Sequence, residues 1–416
     1  MSGGGLGHLW LPYTQMHTAP SPPEAVRTRG CRIQLADGRW LIDGIASWWT
    51  ACHGYNHPAI AEAVRAQLDV MPHVMFGGLV HAPAMRLAER LAASLPGDLS
   101  RVFFAESGSI AVEVAIKIAV QGWINRGVAG RTKILCFEGG YHGDSFATMA
   151  ISDPSGGMHR RFGQVLADQP RAPLPRDDAS IAAFERVVEQ AGPGLAGIVV
   201  EPLVQGAAGM RFHPPDVLRR IRAAADKLGV PLIFDEIFTG FGRTGAMFAA
   251  DRAGVTPDII TLSKGLTGGT MALSACVAST RIFAHFCSDD PADALMHGPT
   301  YMANPLACAA ALASLELFAA EDRLARARAL EAMMRDMLAP CRDLPGVVDV
   351  RVLGAIGVVQ LDRITDLAAL RAEFVARDVW IRPIGDVVYL TPALTIAADE
   401  LEVLTTTIRQ VLSRRW

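Results

Sequence analysis

None of the seven cysteines stands in a C-x-x-C pair. Their odd number and wide spacing (Cys31, Cys52, Cys136, Cys276, Cys287, Cys308, Cys341) suggest neither a disulfide framework nor a zinc site. They read as buried thiols in a reducing compartment. An excess of one charge is also missing: 39 Lys and Arg face 42 Asp and Glu, a net charge of −3, with the basic residues scattered rather than striped. No electrostatic footprint for nucleic acid follows, and a small molecule is the expected partner. The long Ala-rich run after Pro305 is broken by Glu316 before membrane-spanning length, and the opening MSGGGLGHLW has no basic region followed by an apolar stretch. A soluble, cytoplasmic protein that meets no membrane is expected. There is no internal repeat, no low-complexity segment beyond the short Gly cluster, no Walker A sequence and no G-x-S-x-G elbow.

What is present is apolar content and alternation. Of 416 residues 50% are hydrophobic and 19% charged, which excludes disorder and, at roughly 100–200 residues per domain, predicts a large core-forming domain with a smaller one. Short continuous apolar runs at Arg101–Ala105, Lys133–Phe137, Gly197–Glu201, Pro231–Asp235, Asp258–Leu262 and Leu273–Ala278 read as buried strands. Between them, Pro83–Ser94, Ser109–Ile124, Ile181–Gln190 and Asp216–Leu228 carry apolar residues at helical spacing. The expected fold is α/β, a mainly parallel sheet covered by helices. After about Leu317 the pattern becomes a charged helix (Glu321–Leu338), strands near Val347–Leu353, Ala355–Leu361 and Val387–Thr391, and a helix from Ala398. This predicts a small α+β domain over 318–416, a large domain over 61–317, and an N-terminal segment, 1–60, whose Gln34–Asp37 and Trp40–Asp43 form a hairpin around Gly38 and pack on the small domain.

In such sheets ligands bind beyond the carboxyl ends of the strands. Polar residues cluster at four of those ends: Glu106–Ser109, Gly139–Ser145, Asp235–Glu236 and Ser263–Lys264. Alone, Lys264 reads as a lysine snorkelling at a strand end. Asp235, at the tip of another buried run, changes that reading, because two charges at the tips of buried strands need a joint reason. Pyridoxal phosphate supplies one: its aldehyde takes a lysine amine, its pyridine nitrogen a carboxylate, and its phosphate a helix N-terminus. Glu106-Ser-Gly-Ser109, between a strand and an Ala/Val/Ile-rich helix, offers that terminus, although an ordinary Ser cap with a turn glycine fits the fragment equally well. Tyr141, followed by His142, is placed to stack on a planar ring or to anchor a loop. A rival pattern, Gly240-Phe-Gly242-Arg-Thr-Gly245, matches G-x-G-x-x-G and would imply a nicotinamide-dependent oxidoreductase. It does not directly join a strand to a long helix, so a tight loop carrying Arg243 is the better reading.

The segments S-G-S before a helix, G-x-Y-H-G at Gly139–Gly143, F-D-E at Phe234–Glu236, T-G-F-G-R-T-G at Thr239–Gly245 and L-S-K-G at Leu262–Gly265 resemble, in order and over nearly the whole chain, the class III, fold-type I, pyridoxal-phosphate aminotransferases. Within that family, Leu9–Met16, Ser47–Trp49, His53–Pro58, His73–Gly78 and His297–Thr300 are similar to a branch that moves the amino group of S-adenosylmethionine onto 8-amino-7-oxononanoate, giving 7,8-diaminononanoate in biotin biosynthesis. The resemblance implies that Lys264 joins the cofactor aldehyde, Asp235 pairs with the pyridine nitrogen and Tyr141 stacks on the ring. It further implies that Gly108 and Ser109 hold the phosphate together with Thr300 of the partner subunit in a homodimer. Tyr13, Trp48, Trp49 and the backbone at Gly298 would line the substrate pocket, and Arg382, which by itself reads as a surface salt-bridge residue, would bind the distal carboxylate of the acceptor. Glu106 departs from the family pattern, where aspartate is expected. The nearest alternative is a class III aminotransferase acting on an ω-amino acid or diamine.

Overall fold

Seven short strands, most of them buried along their length, pair into one sheet in a computed structural model that describes residues 5–156 and 159–416. They are β1 (Leu99–Ala105), β2 (Lys133–Phe137), β3 (Arg171–Ala172), β4 (Leu195–Val200), β5 (Leu232–Asp235), β6 (Ile259–Leu262) and β7 (Ser274–Ser279), in the order β1-β7-β6-β5-β4-β2-β3. The pairs β3–β2, β2–β4, β4–β5 and β5–β6 are parallel, and β7 alone runs against its neighbours β6 and β1. β4, β5, β6 and β7 are buried at every position, as continuous apolar runs require, whereas β1 exposes Ser100 and Arg101 at the sheet edge. β3 is only two residues long, too short to leave a periodic signal.

Helices Ala82–Ser94, Gly108–Ile124, Asp178–Ala191 and Pro215–Leu228 lie where helical spacing places them, with ends shifted by one to three residues. Helix Gly108–Ile124 packs across β4, β6 and β7, so its N-terminus faces the carboxyl ends of the parallel strands. Register fixes the other partners there. Asp235 ends β5 opposite Thr261 of β6, and Lys264 follows β6 by two residues at the start of a 3₁₀ turn, Lys264–Thr267.

The C-terminal portion has its own antiparallel sheet, Val347–Leu353, Ile356–Leu361 and Val387–Leu390, with helices Arg323–Leu338 and Ala398–Val411. The charged helix starts at Arg323 rather than Glu321, because Asp322 turns into the left-handed region and caps it by accepting from the Ala325 amide at 3.1 Å. Near the N-terminus the hairpin pairs Arg32–Leu35, not Gln34–Asp37, with Trp40–Asp43, and Gly38 takes the positive φ (+93°) of the turn. Trp40–Asp43 then pairs in parallel with Val379–Trp380 of the C-terminal portion. Residues 1–4 of the N-terminal segment lie outside the described residues. Six cysteines are buried, but Cys287 is exposed on the short turn after Phe283, which corrects the expectation for that thiol. Among the described residues no helix is long and apolar enough to cross a membrane.

Candidate active site

Two cavities meet at the carboxyl ends of the parallel strands. The smaller, of about 170 Å³, lies among Gly108, Ser109, Tyr141, His142, Glu201, Asp235, Phe238 and Lys264. The larger, of about 420 Å³, is bounded by Tyr13, Trp48, Asp144, Arg371, Arg382 and Ile384. Trp49, Tyr141, Ala207 and Lys264 line both. Lys264 therefore stands at the junction.

Asp235 is buried and held from three sides. His142 Nδ1–H donates to its Oδ2 at 2.7 Å, while Thr261 Oγ1 and the Ile237 amide donate to its Oδ1, each at 3.2 Å. Burial pulls the His142 imidazole down, but the Asp235 bond and the Asp235 and Glu201 charges more than offset this and leave it above its ordinary value. Burial holds Glu201 up to about 7, although it accepts the Tyr141 and Gly206 amides at 3.0 and 2.9 Å. The Lys264 amine is drawn down to about 8 by burial, against the pull of Asp235 and Glu201. Its Nζ lies 4.6 Å over the Trp49 ring. Such an amine loses its proton near neutral pH far more readily than an exposed lysine.

At the helix N-terminus, Ser107 is the cap: its Oγ accepts from the Ile110 amide at 3.4 Å, leaving the Gly108 and Ser109 amides without a helical partner. A Cβ on Gly108 would stand 3.0 Å from Ile237, and one on Gly143 (φ +129°) only 2.3 Å from Ser109 Oγ. Glycine at these positions lets two backbones close around an anion-sized space. Glu106 is exposed and takes no part in the cap, so the turn forms with this residue in place. A phosphate at free helical amides, a carboxylate for a pyridine nitrogen and a lysine for an aldehyde are what pyridoxal phosphate needs. The residues present fit that group.

The larger cavity owes its walls to an unusual turn. Ala46, Ser47, Trp48 and Trp49 all have positive φ, between 48° and 76°. None is a glycine, and left-handed backbone costs about 1–2 kcal/mol for each such residue. Buried Asp43 holds the turn, its carboxylate accepting from the Ile45 amide (2.8 Å), the Ser47 amide (2.7 Å) and the Tyr55 hydroxyl (2.6 Å). The turn sets Trp48 against Tyr13, at 6.0 Å between ring centroids, and Arg382 over the Trp48 ring at 5.0 Å. Tyr13 donates to Asp144 and lies 3.3 Å from the Tyr141 hydroxyl. Burial and the Asp144 bond push the Tyr13 phenol up to about 12.

The structure thus gathers Lys264, Asp235, Tyr141, Gly108, Ser109, Tyr13, Trp48, Trp49 and Arg382 around one joined space. It does not bring Gly298 or Thr300 there, since both are exposed on their own chain and line neither cavity. Sequence reasoning gave no role to His142 and missed Glu201 and Arg371. Glu201 ends an apolar run, so the strand-end rule could have found it. It also missed a chain behind the lysine: Arg323 Nε donates to His53 Nδ1 (3.2 Å), His53 Nε2–H to Ser314 Oγ (3.0 Å), and Ser314 Oγ to the Gly265 carbonyl (3.3 Å). Gly240–Gly245 forms a loop rather than a strand-to-helix turn, and buried Arg243 donates from it to Ala355 O (3.1 Å) and Pro392 O (2.8 Å), tying in the C-terminal portion. That leaves no dinucleotide cradle there.

The fold and the lysine-centred site define an aminotransferase, and residues 14–412 match the class-III aminotransferase family, to which the chain belongs. Among its relatives, adenosylmethionine-8-amino-7-oxononanoate aminotransferase of Mycobacterium leprae is 46% identical over 97% of this chain and 94% of its own. The crystal structure of the enzyme of the same name from Methanocaldococcus jannaschii superposes with a TM-score of 0.93 at 30% identity, covering 99% of this chain and 98% of the other. An amine transaminase from an uncultivated Pseudomonas species, in a PLP-bound form, gives 0.90 at 32% identity over 98% and 99%.

Proposed function

We propose that the protein transfers the amino group of S-adenosylmethionine to 8-amino-7-oxononanoate, forming 7,8-diaminononanoate in biotin biosynthesis, as a cytoplasmic pyridoxal-phosphate enzyme. The observation that carries this reading is the joined cavity itself, with a buried lysine at the junction and an arginine, stacked over Trp48, that lines only the larger, mostly apolar chamber. When bound, pyridoxal phosphate supplies an electron-withdrawing ring that stores the electron pair released with the substrate's α-proton.

The chain does the rest. The Gly108 and Ser109 amides would hold the cofactor's phosphate, and Asp235, fixed by His142 and Thr261, would pair with its pyridine nitrogen and keep it protonated. Tyr141, which lines both cavities, would stack on the ring. Lys264 Nζ, drawn down to about 8 by burial, has an unprotonated fraction near neutral pH far larger than an exposed lysine's, and in that form it would accept the α-proton and give it back later in the same half-reaction. Tyr13, Trp48 and Trp49 give flat walls that suit an adenine or an aliphatic chain, so two unlike substrates use one chamber in turn. Arg382 takes the acceptor's terminal carboxylate.

The same reading makes the enzyme a homodimer. Leu79, Val80, Phe146, Met296 and Tyr301 are large apolar side chains left between 51% and 65% exposed, and Met296 and Tyr301 flank the exposed Gly298 and Thr300 in the chain. A second copy would cover them and bring Thr300 to the phosphate of its partner. Within each chain we propose a large domain over 61–317, a small one over 318–416, and an N-terminal segment through residue 60.

The alternative is an aminotransferase for ω-amino acids or diamines, since the fold is shared with an amine transaminase. Following the cofactor's absorption with each substrate separately tests the choice. S-adenosylmethionine alone should convert the holoenzyme to its aminated form, and 8-amino-7-oxononanoate should reverse it. Conversion by simple amines but not by S-adenosylmethionine would favour the alternative.

A further inference from the structure

The helix Leu367–Ala376 brings a second arginine, Arg371, to the chamber that Arg382 enters. Its acidic neighbours are committed elsewhere: Glu373 pairs with Arg377 and Arg414, and Asp378 with Arg39. Asp144, the carboxylate that lines the chamber, is occupied by Tyr13 and His159. Arg371 Nη2 donates to the Pro383 carbonyl at 2.9 Å, but its Nε is buried with no partner among the described residues. The buried Tyr389 hydroxyl feels the charges of both arginines. Burial and the nearby Arg382 charge both lower the Arg371 pKa. Two guanidiniums without a counterion among the described residues, one with an unmet donor, line a chamber whose walls are otherwise largely apolar. Such an arrangement is costly empty and is relieved by an anion.

We propose that Arg371 is a second specificity-determining residue, which clamps the terminal carboxylate of an aliphatic acceptor jointly with Arg382. A carboxylate suits the site because it offers two oxygens to two forks, while the apolar walls take the chain behind it. This rests on the reading of the acceptor given above, but it concerns only what the far end binds.

The test uses holoenzyme and two probes of equal length, nonanoate and nonanamide, titrated calorimetrically into wild type, Arg371→Gln, Arg371→Lys and Arg382→Gln. Wild type should prefer the acid, and Arg371→Gln should weaken nonanoate roughly tenfold or more, the size of one charge-assisted bond, while nonanamide stays within about twofold. Arg371→Lys, which keeps charge but loses the planar fork, should fall between. Equal loss of both probes would mean that Arg371 only supports the Pro383 backbone, and unchanged nonanoate binding in Arg371→Gln would remove it from the site. Either result overturns the clamp, as would a wild type that does not distinguish acid from amide. If instead the acid preference depends on Arg371 while 8-amino-7-oxononanoate is not aminated, the clamp stands and the assigned reaction fails.

Discussion

Asp235 and Lys264 could be picked out from the chain as two charges at the tips of buried runs, because burying either one alone is costly. His142 and Glu201 could not, since an imidazole in a Gly-rich loop and a carboxylate at a strand end take their meaning from distances that only the fold sets. Asp235→Asn keeps the shape but lets the pyridine nitrogen lose its proton. The proton-transfer step should slow by at least about a hundredfold, at the low end for a positioned acid–base group, and stopped-flow absorption in a single turnover measures it. Buried histidines govern acid stability at the same scale. His53 and His213 are pulled by burial from 6.5 to about 3 and about 4, so both stay neutral in the fold as the unfolded chain takes up protons. Their contribution is complete above about pH 6.5 and is lost as the pH falls toward those values, at up to about 1.4 kcal/mol per pH unit for each group. Denaturant unfolding at stepped pH should show His53→Gln losing less stability than wild type between pH 6 and 4. An unchanged slope would show that His53 is protonated in the fold.

Among the elements, strands and long helices follow from apolar periodicity, and the turn Ala46–Trp49 does not. Nothing in Ala-Ser-Trp-Trp favours positive φ, and the cause lies in Asp43, three residues before it, whose carboxylate accepts the Ile45 amide just ahead of the turn and the Ser47 amide within it. Asp43→Asn replaces an acceptor by a donor facing the Ile45 or Ser47 amide. It should destabilise the fold by about 1–3 kcal/mol and weaken both substrates together, because Trp48 and Trp49 lose their placement. Thermal unfolding with KM for each substrate checks this. A loss confined to the acceptor would put the cause at Arg382 instead.

At the scale of the whole molecule, the single chain carries the lysine, the carboxylate and the helix N-terminus but leaves Thr300 at its surface. Sequence pattern could not position Thr300 if, as proposed, its target lies on another copy. If the sites are shared, unfolding Lys264→Ala and Thr300→Asp variants and refolding them together should restore roughly a quarter of wild-type sites, half the dimers times half their sites. Mixed dimers with no recovery would refute the composite site. On the proposed reading, Lys264 moves one amino group between two particular molecules in one chamber. Supplying S-adenosylmethionine with a labelled amino nitrogen, together with 8-amino-7-oxononanoate, and weighing the product by mass spectrometry tests it directly. The account predicts labelled 7,8-diaminononanoate from wild type and none from folded Lys264→Ala. Unlabelled product, or label transferred equally well by the variant, would contradict it.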